Sequence, residues 1–144
     1  MKSLFLAVFF TIMIVSSANT QSTLALQEKC AEGAKKFFFE RLQSYGGSWG
    51  SFSDEKGSGH NNFTSHYNKR LDKCFIRIDY RHWPKDKNES AINSTDIWNV
   101  FEGTLLGCVA SGGLDSSVFP YKVGNKTCNS VGEFEALIKP YMEE

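Results

Sequence analysis

The chain has 144 residues, and its 16 basic and 16 acidic side chains cancel to a formal net charge of zero. No basic excess points to nucleic acid, and no acidic block points to a solvating tail. The length suits one domain behind a short leader.

The leader comes first. Lys2 supplies the positive charge, and Leu4 to Val15 is an almost unbroken apolar run. Ser16-Ser17-Ala18 offers small residues for cleavage, with Ala18-Asn19-Thr20 as the second choice. The run is shorter than the roughly 20 apolar residues a spanning helix needs. Residues 1–20 are therefore read as a signal peptide and 21–144 as a single exported domain, with no membrane span in the mature chain.

A helix is expected over about Leu24 to Tyr45. Leu26, Cys30, Ala34, Phe37, Phe38, Leu42 and Tyr45 recur at three- and four-residue steps, and polar residues fill the other face. Gly46-Gly47 is the expected stop. Gly46 to Asn61, which contains Trp49 and Phe52, has no period and reads as a loop. Phe63 to Asn68 reads as a short strand, and Asn68 to Lys73 as a polar turn. Cys74 to His82 is the clearest strand: Cys74, Ile76, Ile78 and Tyr80 share one face, while Phe75, Arg77, Asp79 and Arg81 share the other. This hairpin is expected to keep one face wet.

Pro84 to Thr95 reads as loop. Ile97 to Phe101 and Leu105 to Ala110 read as strands, and Phe119 to Val123 as a fifth, with Pro120 pushing it to an edge. Ser130-Val131-Gly132-Glu133 fits a capping box opening a last helix. Phe134, Leu137, Ile138 and Tyr141 form its apolar face, and Pro140 is expected to distort or end it near Lys139. The fold class is α+β: an N-terminal helix, an antiparallel sheet of about four or five strands and a short C-terminal helix, with both helices on one sheet face.

Four cysteines in an exported chain imply two disulfides. Cys30 on the helix stripe and Cys74 on the apolar strand face point to one layer, which pairs them. Of the three possible pairings this is the one in which Cys108, at a strand end, also joins Cys128, just before the last helix, and closes a shorter loop. Without a Cys-x-x-Cys there is no support for a zinc ribbon or a redox pair. Asn62, Asn88, Asn93 and Asn125 each begin an Asn-x-Ser/Thr triplet, a glycan acceptor in a eukaryotic secretory pathway.

The segment Phe63-Thr64-Ser65-His66-Tyr67-Asn68-Lys69-Arg70-Leu71-Asp72-Lys73-Cys74-Phe75 resembles one found in a group of small exported bacterial proteins of uncharacterised function. The terminal stretch Cys128 to Glu144 also looks like that group. The resemblance implies a periplasmic or secreted bacterial home, where the triplets stay unmodified. It transfers no activity and no catalytic residue.

Candidate chemistry is sparse. His66, Tyr67 and Asn68 form the most attractive polar cluster, with His66 a possible base or metal ligand. The structural alternative has His66 and Asn68 bonding to the turn before Cys74, and it is favoured because no partner at catalytic or metal spacing accompanies them. A His66 sealed in the hairpin argues for structure; one opening into a cleft beside carboxylates argues for chemistry. His60, His66 and His82 are the residues from which a three-histidine zinc site would be built. No Gly-x-Ser-x-Gly elbow or phosphate loop is present. Arg77, Asp79 and Arg81 read as a solvated row with internal salt bridges. Trp49 either presents its ring to a sugar or a partner, or folds back on the core edge.

The reading that follows is a non-enzymatic binding module, exported and disulfide-stapled, with no cofactor. Its candidate partners are a protein or a glycan of the cell envelope. A hydrolase or metal enzyme centred on His66 is the first alternative, and a structural envelope component is the second.

Overall fold

The computed structural model describes residues 2–44, 49–112 and 121–143, with side chains over 22–43, 49–112 and 121–143. The order is α1 (Lys2–Ser44), β1 (Gly50–Ser53), β2 (Gly57–Asn68), β3 (Lys73–Pro84), β4 (Ile92–Asn99), β5 (Thr104–Ser111), β6 (Tyr121–Val123), β7 (Lys126–Cys128) and α2 (Val131–Met142). The seven strands form one sheet in sequence order. Every neighbouring pair is antiparallel. The class is α+β, as expected, but the sheet has more strands than the four or five anticipated.

α1 forms where the stripe demanded it. Cys30, Ala34, Phe38 and Leu42 recur every four residues and are buried, because that spacing keeps them on one helical face. They pack on Tyr67, Cys74 and Ile76, and the Phe38 and Phe63 ring centroids lie 4.6 Å apart. The Cys30–Cys74 disulfide, with 5.4 Å between Cα atoms, fastens α1 to β3 as expected. α1 runs unbroken from Lys2 to Ser44. The expected Gly46-Gly47 stop lies outside the described residues, as do Phe119 and Pro120 of the expected fifth strand. Among the described residues, no helix is long and apolar enough to cross a membrane.

The two helices do not share a face. Cys74, Ile76 and Ile78 on β3 point toward α1, whereas Phe75 and Arg77 point the other way and meet Tyr141 and Glu135 of α2. Strand alternation makes the two sets mutually exclusive. The expectation of both helices on one face is thus corrected, and so is that of a wet hairpin face. The second face carries its own core of Ile97, Tyr121, Val123, Cys128, Phe134 and Ile138.

The second expected disulfide is also corrected. Cys108 and Cys128 are free thiols. Cys108 aligns with Lys122, whereas Cys128 aligns with Tyr121. Directly paired residues share a face and adjacent residues do not, so the two sulfurs lie on opposite sides of the sheet. Cys108 belongs to the α1 side and Cys128 to the core under α2.

α2 opens as the capping motif requires, with the Glu133 amide donating to Ser130 Oγ at 3.1 Å. The Glu133 carboxylate, however, accepts from the Asn129 amide at 2.8 Å, one residue before the cap. The helix continues through Pro140 to Met142 instead of ending near Lys139. Asn68 explains part of this: its side-chain amide donates to the Pro140 carbonyl at 2.7 Å, satisfying a carbonyl that a helix end leaves without a partner.

A candidate ligand cavity between helix α1 and the sheet

Three cross-strand rows on the α1 side of the sheet define a cavity of about 530 Å³. The outer row runs from Phe52 across Gly59 to His82. The middle row is Asn61, Tyr80 and Ser94. The inner row contributes Ile78 and Asp96. Trp98 and the Phe38, Arg41 and Leu42 side chains of α1 close the far wall, and exposed Asp54 and Lys56 stand at the hairpin between β1 and β2. Its size falls within the ~300–1,000 Å³ typical of small-molecule sites.

Local sequence builds each wall. Asp54 makes the hairpin turn, its Oδ1 accepting from the Lys56 and Gly57 amides at 2.8 and 3.0 Å. Those two bonds hold its carboxyl below the usual range. Gly59 leaves β2 open beneath Phe52; a Cβ there would sit 2.3 Å from the ring. The Phe52 ring therefore crosses β2 and stacks near-parallel on His82 (6.3 Å, 16°), which in turn lies near-parallel to Tyr80 (6.3 Å, 14°). His82 Nδ1 is buried and makes no hydrogen bond among the described residues.

The inner end is electrostatically tuned. Burial pushes the Asp96 carboxyl above its usual range, opposed by a Trp98 hydrogen bond and the Arg41 charge. The Arg41 guanidinium lies 3.9 Å from the Trp98 ring centroid, a cation–π contact. Cys108 aligns with Asp96, and burial followed by the Asp96 charge pushes its thiol up. A thiol held protonated is a poor nucleophile.

The residues singled out from the sequence lie elsewhere. Tyr67 and Asn68 are buried. The Tyr67 hydroxyl donates to Asp72, whose left-handed φ of 51° shapes the turn, and its backbone amide donates to Gln27 Oε1 of α1 at 3.2 Å. Asn68 Oδ1 accepts from the Leu71 amide at 2.9 Å. Trp49 is 60% exposed and meets Phe39 edge-on at 6.1 Å, away from the cavity.

His66 is half-buried and lines a second cleft, of about 440 Å³, beside α2 with Arg77, Glu135, Lys139 and Glu143. The carboxylates there are engaged: Glu135 accepts from Arg77 at 2.8 Å, and Glu143 pairs with Lys139 at 3.3 Å. Arg77 also pairs with Asp79 at 3.1 Å, which supports the reading of that strand row as internal salt bridges. A three-histidine site is not formed. His82 faces α1, whereas His60 and His66 face the other side. Those two are also six positions apart on β2, about 20 Å at ~3.3 Å per residue. Among the described residues, no group of three or more His, Cys, Asp or Glu side chains could hold a metal.

Sequence reasoning missed the cavity because the strand positions on its floor, Gly59, Asn61, Ser94 and Asp96, are small or polar and interrupt the apolar alternation that marks a half-buried strand. The available signal was the alternation of Gly57, Gly59 and Asn61, buried, with Ser58, His60 and Asn62, exposed. Comparison with known protein families, curated proteins and solved structures finds no match to this chain.

Proposed function

We propose that the protein is an exported binding module that takes a small molecule into the cavity between α1 and the sheet, and that it acts without catalysis. The observation that carries this reading is the convergence of stacked rings and a few polar groups on one concave, partly open cavity. The leader-like N-terminus and the Cys30–Cys74 staple support a periplasmic or secreted home. The resemblance to small exported bacterial proteins points the same way.

A thermal-shift screen of the mature chain against envelope-derived small molecules tests it. Ser94→Phe fills the cavity from the middle of its floor. The expected result is a compound that raises Tm in the wild type and loses its effect in S94F. Compounds that stabilise both proteins equally bind elsewhere and refute the proposal.

A hydrolase centred on His66 is a second reading, favoured by the opening of His66 into the α2 cleft. It requires ester or glycoside hydrolysis that His66→Gln abolishes. Equal turnover by H66Q and wild type, or none by either, ends it.

A further inference from the structure

Five of the ten exposed large apolar side chains gather at one end of the fold: Leu24, Leu26, Leu71, Phe101 and Leu105. At this end the N-terminal part of α1 meets the β2–β3 turn and the β4–β5 turn. Gln27 of α1 accepts from the Tyr67 amide at 3.2 Å, and the Lys29 ammonium lies 5.9 Å from the Phe101 ring centroid. The two turns are tied to each other. The Val100 amide donates to the Cys74 carbonyl at 2.9 Å, and Lys73 pairs with Glu102 at 2.8 Å. Leu24 is 70% exposed and Phe101 59%. Exposed apolar residues scattered singly need no explanation, but a group of them rimmed by polar residues marks an interaction surface.

Charge selects the partner. The β2–β3 turn reads Lys69-Arg70-Leu71-Asp72-Lys73, and both cations before Leu71 are exposed. The acids of the two turns are engaged within the fold, Asp72 by the Tyr67 hydroxyl and Glu102 by Lys73. The turns at the opposite end carry four acids, Asp54, Glu55, Asp86 and Glu89, against Lys56, Lys85 and Lys87, so the two ends differ in sign. We infer that the end bearing Leu71 and Phe101 docks on an anionic phospholipid surface. The two side chains enter the boundary between headgroups and acyl chains, while Lys69, Arg70 and Lys29 stay at headgroup level. Apolar tips with basic neighbours gain twice: hydrocarbon leaves water, and each cation is drawn to the anionic surface by an attraction that salt screens. The Lys29 stem along Phe101 suits this, because a lysine can lay its hydrocarbon on an apolar ring and keep its ammonium in the polar layer. None of these side chains lines the cavity, so the inference is independent of the binding reading.

Vesicle co-sedimentation of residues 21–144 tests this, with vesicles of phosphatidylcholine alone and of phosphatidylcholine containing about a third phosphatidylglycerol. Omitting residues 1–20 keeps the apolar run from Leu4 to Val15 from inserting on its own. The expected result is saturable binding to the phosphatidylglycerol vesicles that falls as salt rises, and binding to phosphatidylcholine weaker by about tenfold or more. Leu71→Glu, Phe101→Glu and Lys69→Glu should each weaken the anionic binding by about tenfold. Val131→Glu, at the start of α2 and 52% exposed in the wild type, should bind as wild type does. Circular dichroism verifies that each variant is folded, and L71E and K69E decide the matter if F101E, whose ring also packs on Gly33, loses its fold. No binding to either vesicle, equal binding to both, or binding unchanged in L71E and K69E overturns the inference. Self-association in sedimentation velocity that L71E abolishes, without vesicle binding, assigns this end to a second copy of the chain and overturns it as well.

Discussion

Asn68→Ala separates the structural account of the His66-Tyr67-Asn68 cluster from a functional one. Asn68 is fully buried. Its Oδ1 accepts from the Leu71 amide at 2.9 Å, closing the turn between β2 and β3, and its Nδ2 donates to the Pro140 and Tyr141 carbonyls at 2.7 and 3.5 Å. Alanine leaves the Leu71 N–H and the Pro140 C=O without these partners, in part-buried contacts beside a fully buried side chain. Each unsatisfied buried group costs about 1–3 kcal/mol, and because Leu71 is exposed and Pro140 only part-buried the two together fall in the lower part of the summed range, about 2–4 kcal/mol. Unfolding entropy of about 2.1 cal/mol/K per residue over roughly 120 residues is about 0.25 kcal/mol/K, which converts that loss to a fall in Tm of about 8–16 °C. Differential scanning calorimetry with a urea titration measures both. Asn68→Asp keeps the acceptor but sets a carboxylate against two carbonyl oxygens, so it should not rescue. Ligand binding at the α1 cavity, on the opposite face, should be unchanged at temperatures where the variant is folded. A Tm within about 2 °C of wild type, or a variant of full stability that has lost ligand binding, would refute the reasoning.

Three further outcomes follow from the same geometry. Without reductant, the unfolded protein should titrate two thiols, and peptide mapping should recover the Cys30–Cys74 bridge; a Cys108–Cys128 peptide would contradict the opposite-face placement. Replacing Cys30 and Cys74 together by alanine opens a loop spanning a sequence separation of 44, which in the chain-entropy model costs about 4 kcal/mol, read as a lower urea midpoint; a loss under ~1 kcal/mol would count against an entropic staple. Asp96 has its carboxyl raised in the folded state, so folding holds its proton more tightly than the unfolded chain does, and the associated stability is present at low pH and lost as pH rises through the folded value. D96N should therefore be more stable than wild type at neutral pH, with the gap closing below the usual carboxylate range; a gap that widens on acidification refutes the assignment.

The legible parts of the chain were those that bury hydrocarbon. The four-residue spacing of Cys30, Ala34, Phe38 and Leu42 announced α1, and the alternation of Cys74, Ile76, Ile78 and Tyr80 announced β3, and together they paired the first two cysteines. β1 and the first half of β2 read as loop because their inward positions are Phe52, Gly57, Gly59 and Asn61, only one of them apolar and large. The start of β4 was lost for the same reason, with Ser94 and Asp96 turned toward the cavity. The substitutions that hid these strands from a hydrophobic-period reading are therefore the lining of the candidate site, a local inconsistency of the kind functional sites carry. The second face was missed differently. Phe75 among charged neighbours looked solvated, and only the packing of α2, through Phe134, Ile138 and Tyr141, shows it covered. α2 is placed both by nearby Tyr121, Val123 and Cys128 and by contacts distant in sequence, such as Asn68 with Pro140, and no local pattern encodes the distant ones.

The most direct test of the cavity assignment is a backbone amide shift map of isotope-labelled residues 21–144 titrated with the compound that stabilises them most. The account predicts saturable shifts centred on Asn61, Tyr80, His82, Ser94 and Asp96, with the His66, Glu135 and Lys139 region unmoved. Shifts centred on His66 and α2, with the first group silent, would contradict it.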